Sequence, residues 1–98
     1  MPKFPVTDIE VDSVERWLRQ HPHLMHVRVR KRADTLVLES GPAADPCPHA
    51  RLRRVAVHLW ILEMAHRKRW QPSGHRDRKE VLLDLLVNMY GWMLAPID

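Results

Sequence analysis

Apolar positions in the first twenty residues recur with helical spacing. Val11, Val14, Leu18 and His21 fall three or four apart, and Ile9 and Trp17 extend the same stripe. Asp12, Glu15, Arg16 and Arg19 take the other side. Thr7 and Glu10 precede the stripe at the spacing of a capping box, whose hydroxyl and carboxylate satisfy two backbone N–H groups. Pro22 stops this helix, since its ring blocks a further turn.

The period then shortens to two. His26-Val27-Arg28-Val29-Arg30 and Thr35-Leu36-Val37-Leu38-Glu39 alternate as the strands of a hairpin, with Lys31-Arg32-Ala33-Asp34 as a polar turn. Gly41 to Pro48 holds three prolines and one glycine, which predicts a long loop over 41–49 crossing an edge or end of the sheet.

Residues 50–70 admit two readings. On a helix, Leu52, Val55, Ala56, Leu59 and Leu62 would share a face. On strands, Arg51-Leu52-Arg53 alternates, Val55 and Val57 continue it, and His58 to Ala65 is a nearly continuous buried run. A turn at His66-Arg67-Lys68 and a return over Arg69-Trp70-Gln71 complete that second hairpin. The β-branched Val55, Val57 and Ile61, with Trp60, favour strands.

A second helix closes the chain. Asp77 and Glu80 are spaced as another reciprocal cap, and Gly91 suits the left-handed position that ends a helix. Between them Val81, Leu82, Leu85, Leu86, Met89 and Tyr90 form a wide apolar face. Trp92-Met93-Leu94 then reads as extended before Pro96. A helix this apolar is central to the core or part of a subunit interface, with Leu85, Met89 and Trp92 as candidate partner contacts.

His49-Ala50-Arg51-Leu52-Arg53, Leu59-Trp60-Ile61-Leu62, His66, Arg69-Trp70 and the leucine-rich terminal helix together resemble a group of small uncharacterised bacterial proteins. The resemblance covers roughly the last fifty residues. It implies a second hairpin and carries no assigned function. Its members place a glycine before the Arg-Trp pair, where this chain has Lys68.

The expected fold is therefore α+β: a helix, an antiparallel sheet of two hairpins and a second helix, both helices on one sheet face. A long helix over 50–70 is the alternative, giving three helices and one hairpin. The 98 residues make one domain, with tails at 1–6 and 95–98. No apolar run approaches the roughly 20 residues of a membrane span, and the first residues lack the apolar stretch of a signal peptide. With one cysteine, Cys47, no internal disulfide is possible, so a cytoplasmic protein, bacterial by composition, is expected.

Charge alters this picture. Thirteen of the sixteen Lys and Arg residues lie between Leu24 and Lys79 against five acidic residues, so this segment carries +8 within a chain of net +4. If Val27 and Val29 point inward, Arg28 and Arg30 point outward, and Arg51 and Arg53 share a face opposite Leu52. Lys31, Arg32, Arg67, Lys68 and Arg69 fall in turns or strand ends, and Trp60 or Trp70 could add an aromatic surface. Guanidinium groups bind phosphate through paired donors and aromatic rings stack on bases. Arg28, Arg30, Arg32, Arg51, Arg53, Arg67, Lys68, Arg69 and Trp70 are thus the candidate contacts of a non-enzymatic protein that binds nucleic acid or a ribonucleoprotein. The alternative is a protein-binding accessory subunit, antitoxin or inhibitor, possible as a homodimer through the last helix.

Other chemistry has weaker support. His21, His23 and His26 form a His-x-His-x-x-His run, and Cys47 with His49 a Cys-x-His pair, but neither matches an established zinc spacing. His66, His75, Asp77 and Arg69 could assemble a nuclease-like site only if the fold brought them within hydrogen-bond reach. No cofactor, metal or catalytic residue is expected.

Overall fold

The computed structural model describes residues 4–42, 44–66 and 69–90. Helix α1 (Asp8–Arg19) precedes a short 3-10 turn (Pro22–Leu24). Five strands follow: β1 (Arg28–Arg32), β2 (Thr35–Ser40), β3 (Cys47–Ala56), β4 (Leu59–His66) and β5 (Arg69–Asp77). Helix α2 (Lys79–Tyr90) completes the fold. The strands form one antiparallel sheet in chain order, β1-β2-β3-β4-β5, packed against both helices.

The α+β class holds, and the long helix over 50–70 gives way to β3, β4 and the start of β5. The β-branched residues of that stretch and its alternating burial fit a pleated, half-buried surface. The sheet is a continuous meander, because β2 also pairs with β3. The predicted loop over 41–49 is correspondingly shorter. Cys47, Pro48 and His49 belong to β3, and the loop joins adjacent strands without crossing the sheet.

Alternation decides what each face does. Val29, Leu36, Leu38, Ala50, Leu52 and Leu62 point to the helices and are buried with Val14 and Leu18 of α1 and Leu82, Leu83 and Leu86 of α2. Trp60 joins this core, so it is no part of the arginine face. Leu85 packs against the same core, whereas the Met89 side chain and Trp92 lie outside the described residues. Ile9 departs from the expected stripe and is 77% exposed.

Three irregularities shape the sheet. Leu38 pairs with Ala50 and Glu39 with Pro48, which makes His49 the extra residue of a β-bulge. A second bulge lies between Arg54 and Ala56, with Val55 as its extra residue, just after Arg54, which alternation already places on the helix side with Leu52. In β5, Pro72 and Gly74 (φ +83°) break the ladder where Ser73 Oγ donates to Leu62 O at 2.8 Å. Proline is tolerated there because β5 is an edge strand with a bulge.

The Thr7–Glu10 capping box forms, and Thr7 N–H donates to Glu10 Oε2 at 3.0 Å. Glu10 Oε1 also accepts from Arg54 Nη1 at 2.9 Å, and Arg54 donates to Val57 O and Pro5 O. One guanidinium thus ties the helix start to the β3–β4 turn. Burial pushes the Glu10 carboxyl up, but the Thr7 hydrogen bonds and the Arg54 charge outweigh it and hold it below its ordinary value. A carboxyl with a lower pKa folded than unfolded stabilises at neutral pH and loses that contribution as pH falls. Glu10→Gln should therefore be less stable at pH 7 in urea unfolding, with the gap closing below the ordinary glutamate value of 4.5. A gap that persists unchanged at pH 3 would contradict this account. The second expected cap differs: Asp77 Oδ1 accepts from Arg78 N–H at 2.7 Å, while Glu80 accepts from Lys79 Nζ at 2.7 Å. Gly91 lies outside the described residues. Among the described residues no helix is long and apolar enough to cross a membrane.

Candidate nucleic-acid interface

The sheet face away from the helices is built in rows by register. Arg30 of β1 pairs with Val37 of β2, which pairs with Arg51 of β3. The next row runs Arg32, Thr35, Arg53, and the preceding one Arg28, Glu39, Pro48. The β2 residues Thr35, Val37 and Glu39 are all buried, although Val37 lies outside the helix-side core. Arginines on both sides cover them. The result is a trough with β2 as its floor and the arginines of β1 and β3 as its banks.

Neighbouring strands lie about 4.8 Å apart, so the main chains of β1 and β3 are separated by roughly 10 Å, and arginine side chains reach into the space between them. The concavity encloses about 640 Å³, and Trp70 and Pro48 contribute to its walls. The turn at its end is fixed from below. Val6 N–H donates to Ala33 O at 3.0 Å and Arg54 N–H to Asp34 O at 2.8 Å, while Ala33 takes the left-handed φ of +55°.

Two glutamates organise the cations. Glu39 accepts from Arg30 Nε at 2.6 Å and Arg28 Nη2 at 3.2 Å. Glu63 accepts from Arg51 Nε at 3.0 Å and lies 3.1 Å from Arg53 Nη2. Both carboxylates are buried, at 2% and 7% exposure, so each is a fixed negative charge shared by two guanidiniums. One charge per cluster is therefore left over. Arg30 and Arg51 use Nε for their glutamates, and their Nη1 and Nη2 donors make no further hydrogen bond among the described residues. That terminal pair is the fork that binds a carboxylate or phosphate through two parallel hydrogen bonds.

The candidates differ in availability. Arg28 also donates to Gly41 O at 2.6 Å, so it anchors the β2–β3 loop. Arg30 and Arg32 are more open, Arg53 is as exposed as Arg28, and the Arg32 guanidinium makes no hydrogen bond or ion pair among the described residues. The Arg51 guanidinium sits 4.5 Å from the Trp70 ring centroid, a cation–π contact that fixes both. Arg69 pairs with His66 at the far end of β4–β5, and Arg67 and Lys68 lie outside the described residues.

The sequence reading missed Glu39 and Glu63 because it counted charge by segment. A signal was present: each glutamate has the strand parity that places it opposite an arginine, Glu39 with Arg28 and Glu63 with Arg51. The net charge of the face is smaller than the arginine count implies. Its arginines are correspondingly better oriented.

The other constellations do not assemble. His66 pairs with Arg69, while Asp77 pairs with Trp60 at the opposite end of β5, some 20 Å or more away at about 3.3 Å per residue. His21 Nδ1 lies 2.8 Å from Trp17 O, and its ring meets His23 at 5.8 Å. His26 instead faces His49 at 6.4 Å, and His49 Nε2 is 2.7 Å from Ser40 Oγ in a buried contact made by the bulge. Cys47 is a half-buried free thiol. No group of three or more His, Cys, Asp or Glu side chains among the described residues could hold a metal ion. Comparison with known proteins finds no matching family model, no matching curated protein and no matching solved structure.

Proposed function

We propose that this chain is a non-enzymatic binding module that holds nucleic acid, alone or within a ribonucleoprotein, on the arginine trough. The observation that carries this reading is the state of Arg30 and Arg51. Each is oriented by a buried glutamate through Nε, lines the concavity and keeps a terminal donor pair without a further hydrogen bond among the described residues. Oriented donors lose less side-chain freedom on binding than solvated ones. Arg32 and Arg53 add two further cations to the same concavity.

Binding by four phosphate-contacting arginines has a defined salt signature. Counterion release gives a slope of about −0.7 per contact for single strands, so affinity should fall roughly fiftyfold between 50 and 200 mM salt. Mobility shift of mixed single- and double-stranded DNA and RNA at both salt concentrations reads this directly. Flat binding, or none at the lower salt, sinks the proposal. Arg30→Gln with Arg53→Gln should halve the slope, while Arg28 and Arg51 still neutralise the two glutamates and the fold persists.

A second reading has its own observation. Ile9, Val57 and Val81, three of the four exposed large hydrophobic residues among those described, line one groove of about 740 Å³ between α1 and α2. Gathered apolar side chains mark protein contacts more than scattered ones do. An accessory subunit that dimerises through this groove would show a concentration-dependent mass by light scattering. Ile9→Ser with Val81→Ser would abolish it and leave the trough unchanged.

A further inference from the structure

We infer that the groove between the starts of α1 and α2 receives an acidic, amphipathic segment of another protein. This rests on the protein-contact reading above and replaces a second copy of the chain by a partner of stated chemistry. The groove is assembled from three separate elements. Ile9 comes from α1, Val57 from the β3–β4 turn and Val81 from α2, and all three are exposed. None of them joins the core cluster or packs against it. A single exposed aliphatic side chain is ordinary, but three brought from distant parts of the chain to one groove mark a contact surface.

The site is held in place before anything binds. Trp60 and Arg54 also line the groove, with the guanidinium 5.5 Å from the indole ring centroid. Arg54 donates to Pro5 O, Val57 O and Glu10 Oε1. The turn that carries Val57 is thereby tied to the start of the helix that carries Ile9, so a partner meets anchors whose main chain is already ordered.

Charge selects the partner. Arg16, Arg54, Arg78 and Lys79 line the groove against Glu10 and Glu80, an excess of two positive charges. Arg54 is paired with Glu10 and Lys79 with Glu80, so the excess resides on Arg16 and Arg78, which form no ion pair among the described residues. Arg16 makes one long hydrogen bond, from Nε to Asp12 O at 3.4 Å. Each free guanidinium flanks an aliphatic anchor: Arg16 stands about two helical turns beyond Ile9, and Arg78 three residues before Val81. A second copy would bring the same positive excess to the same patch, because a two-fold interface sets a surface against itself. A phosphate backbone would answer the charge, but it has no apolar surface to set against Ile9, Val57 and Val81, and the Trp60 indole is buried beyond reach of a stacking base. A segment with apolar residues between carboxylates answers both features.

The experiment is selection from a phage-displayed library of random sixteen-residue peptides on the full chain, with the Ile9→Ser, Val81→Ser double variant as counter-target. Both replaced side chains are exposed, so the fold persists. The expected result is enrichment, on the wild type only, of peptides with net negative charge and several Leu, Ile, Val or Phe residues. Anisotropy with the leading labelled peptide then reads the charge. Arg16→Glu with Arg78→Glu should weaken its binding at least tenfold, whereas Arg30→Gln with Arg53→Gln in the trough should leave it unchanged. If the double reversal alters the circular dichroism, Arg78→Glu alone supplies the test, since a carboxylate suits the start of α2, and at least a threefold loss is expected. Selective peptides that are neutral or basic overturn the partner chemistry. Sedimentation of the wild type, but not of the serine variant, with phosphatidylserine vesicles assigns the groove to a membrane and overturns it as well. A concentration-dependent mass that the serine variant loses seats a second copy in the groove, which overturns the inference and keeps the protein-contact reading. No selective peptide together with a constant mass overturns both.

Discussion

Replacing Arg28 and Arg30 together by methionine should destabilise this protein by about 3–5 kcal/mol, because it removes both partners of a buried charge. Glu39 is 2% exposed and its ion pairs are to these two arginines. Either single replacement leaves one guanidinium in place and should cost about 1–3 kcal/mol as a charged hydrogen bond is lost. The double variant leaves none. Much of its loss then comes from the isolated carboxylate and not from the arginines themselves. Adding Glu39→Gln should therefore return a large part of the stability, even though the triple variant keeps none of the original ion pairs. Urea midpoints of the wild type, double and triple variants check this. A triple variant no more stable than the double would show that the arginine stems, through packing, account for the loss.

Leu86→Ala should have an effect of similar size from a different cause. Leu86 is fully buried in the cluster formed by both helices and the inner sheet face, where truncating leucine to alanine typically costs about 2–5 kcal/mol. For a domain near 100 residues each kilocalorie shifts the melting temperature by about 4–8 °C, so a fall of at least 8 °C is expected. Leu85→Ala is the informative comparison. Leu85 is only half-buried against the same core, so it should lose less, and its mass in solution should not change. A change in oligomeric mass with little loss of stability would instead identify that side of α2 as an interface.

Local pattern made much of the fold legible. The Thr7–Glu10 spacing located the start of α1, and the alternation of His26 to Arg30 and Thr35 to Glu39 located the first hairpin and its inward faces. However, β1 runs two residues later than expected and takes in Lys31 and Arg32, which the pattern places in the turn. The stretch from 50 to 70 resisted because its residues satisfy both periods. Helix-favouring Leu, Arg and Met sit among β-branched Val and Ile, and only pairing with β2 on one side and β5 on the other decides between them. Pro48 hid the start of β3, since a proline reads as a loop unless a bulge takes up its missing donor. The face itself was half legible. Parity placed Arg28, Arg30, Arg51 and Arg53 together, but nothing local announces that Glu39 and Glu63 will be buried beneath them. Burial of those carboxylates depends on which strands are neighbours, and that is a property of the register.

The order of the sheet has a further consequence. Every strand pairs only with its neighbour in the chain, so each hairpin can close with a short loop as soon as its second strand exists. Loop-closure entropy is small for such steps, and sheets built from them fold faster than those assembled from distant segments. The long-range steps are the docking of α1, sealed by Arg54 reaching back to Glu10, and the addition of α2. During synthesis β1 to β3 would therefore zip together while α2 is still being made. Until Leu82, Leu83 and Leu86 arrive, the inner face lacks half its cover, and that interval is when this chain is most open to aggregation.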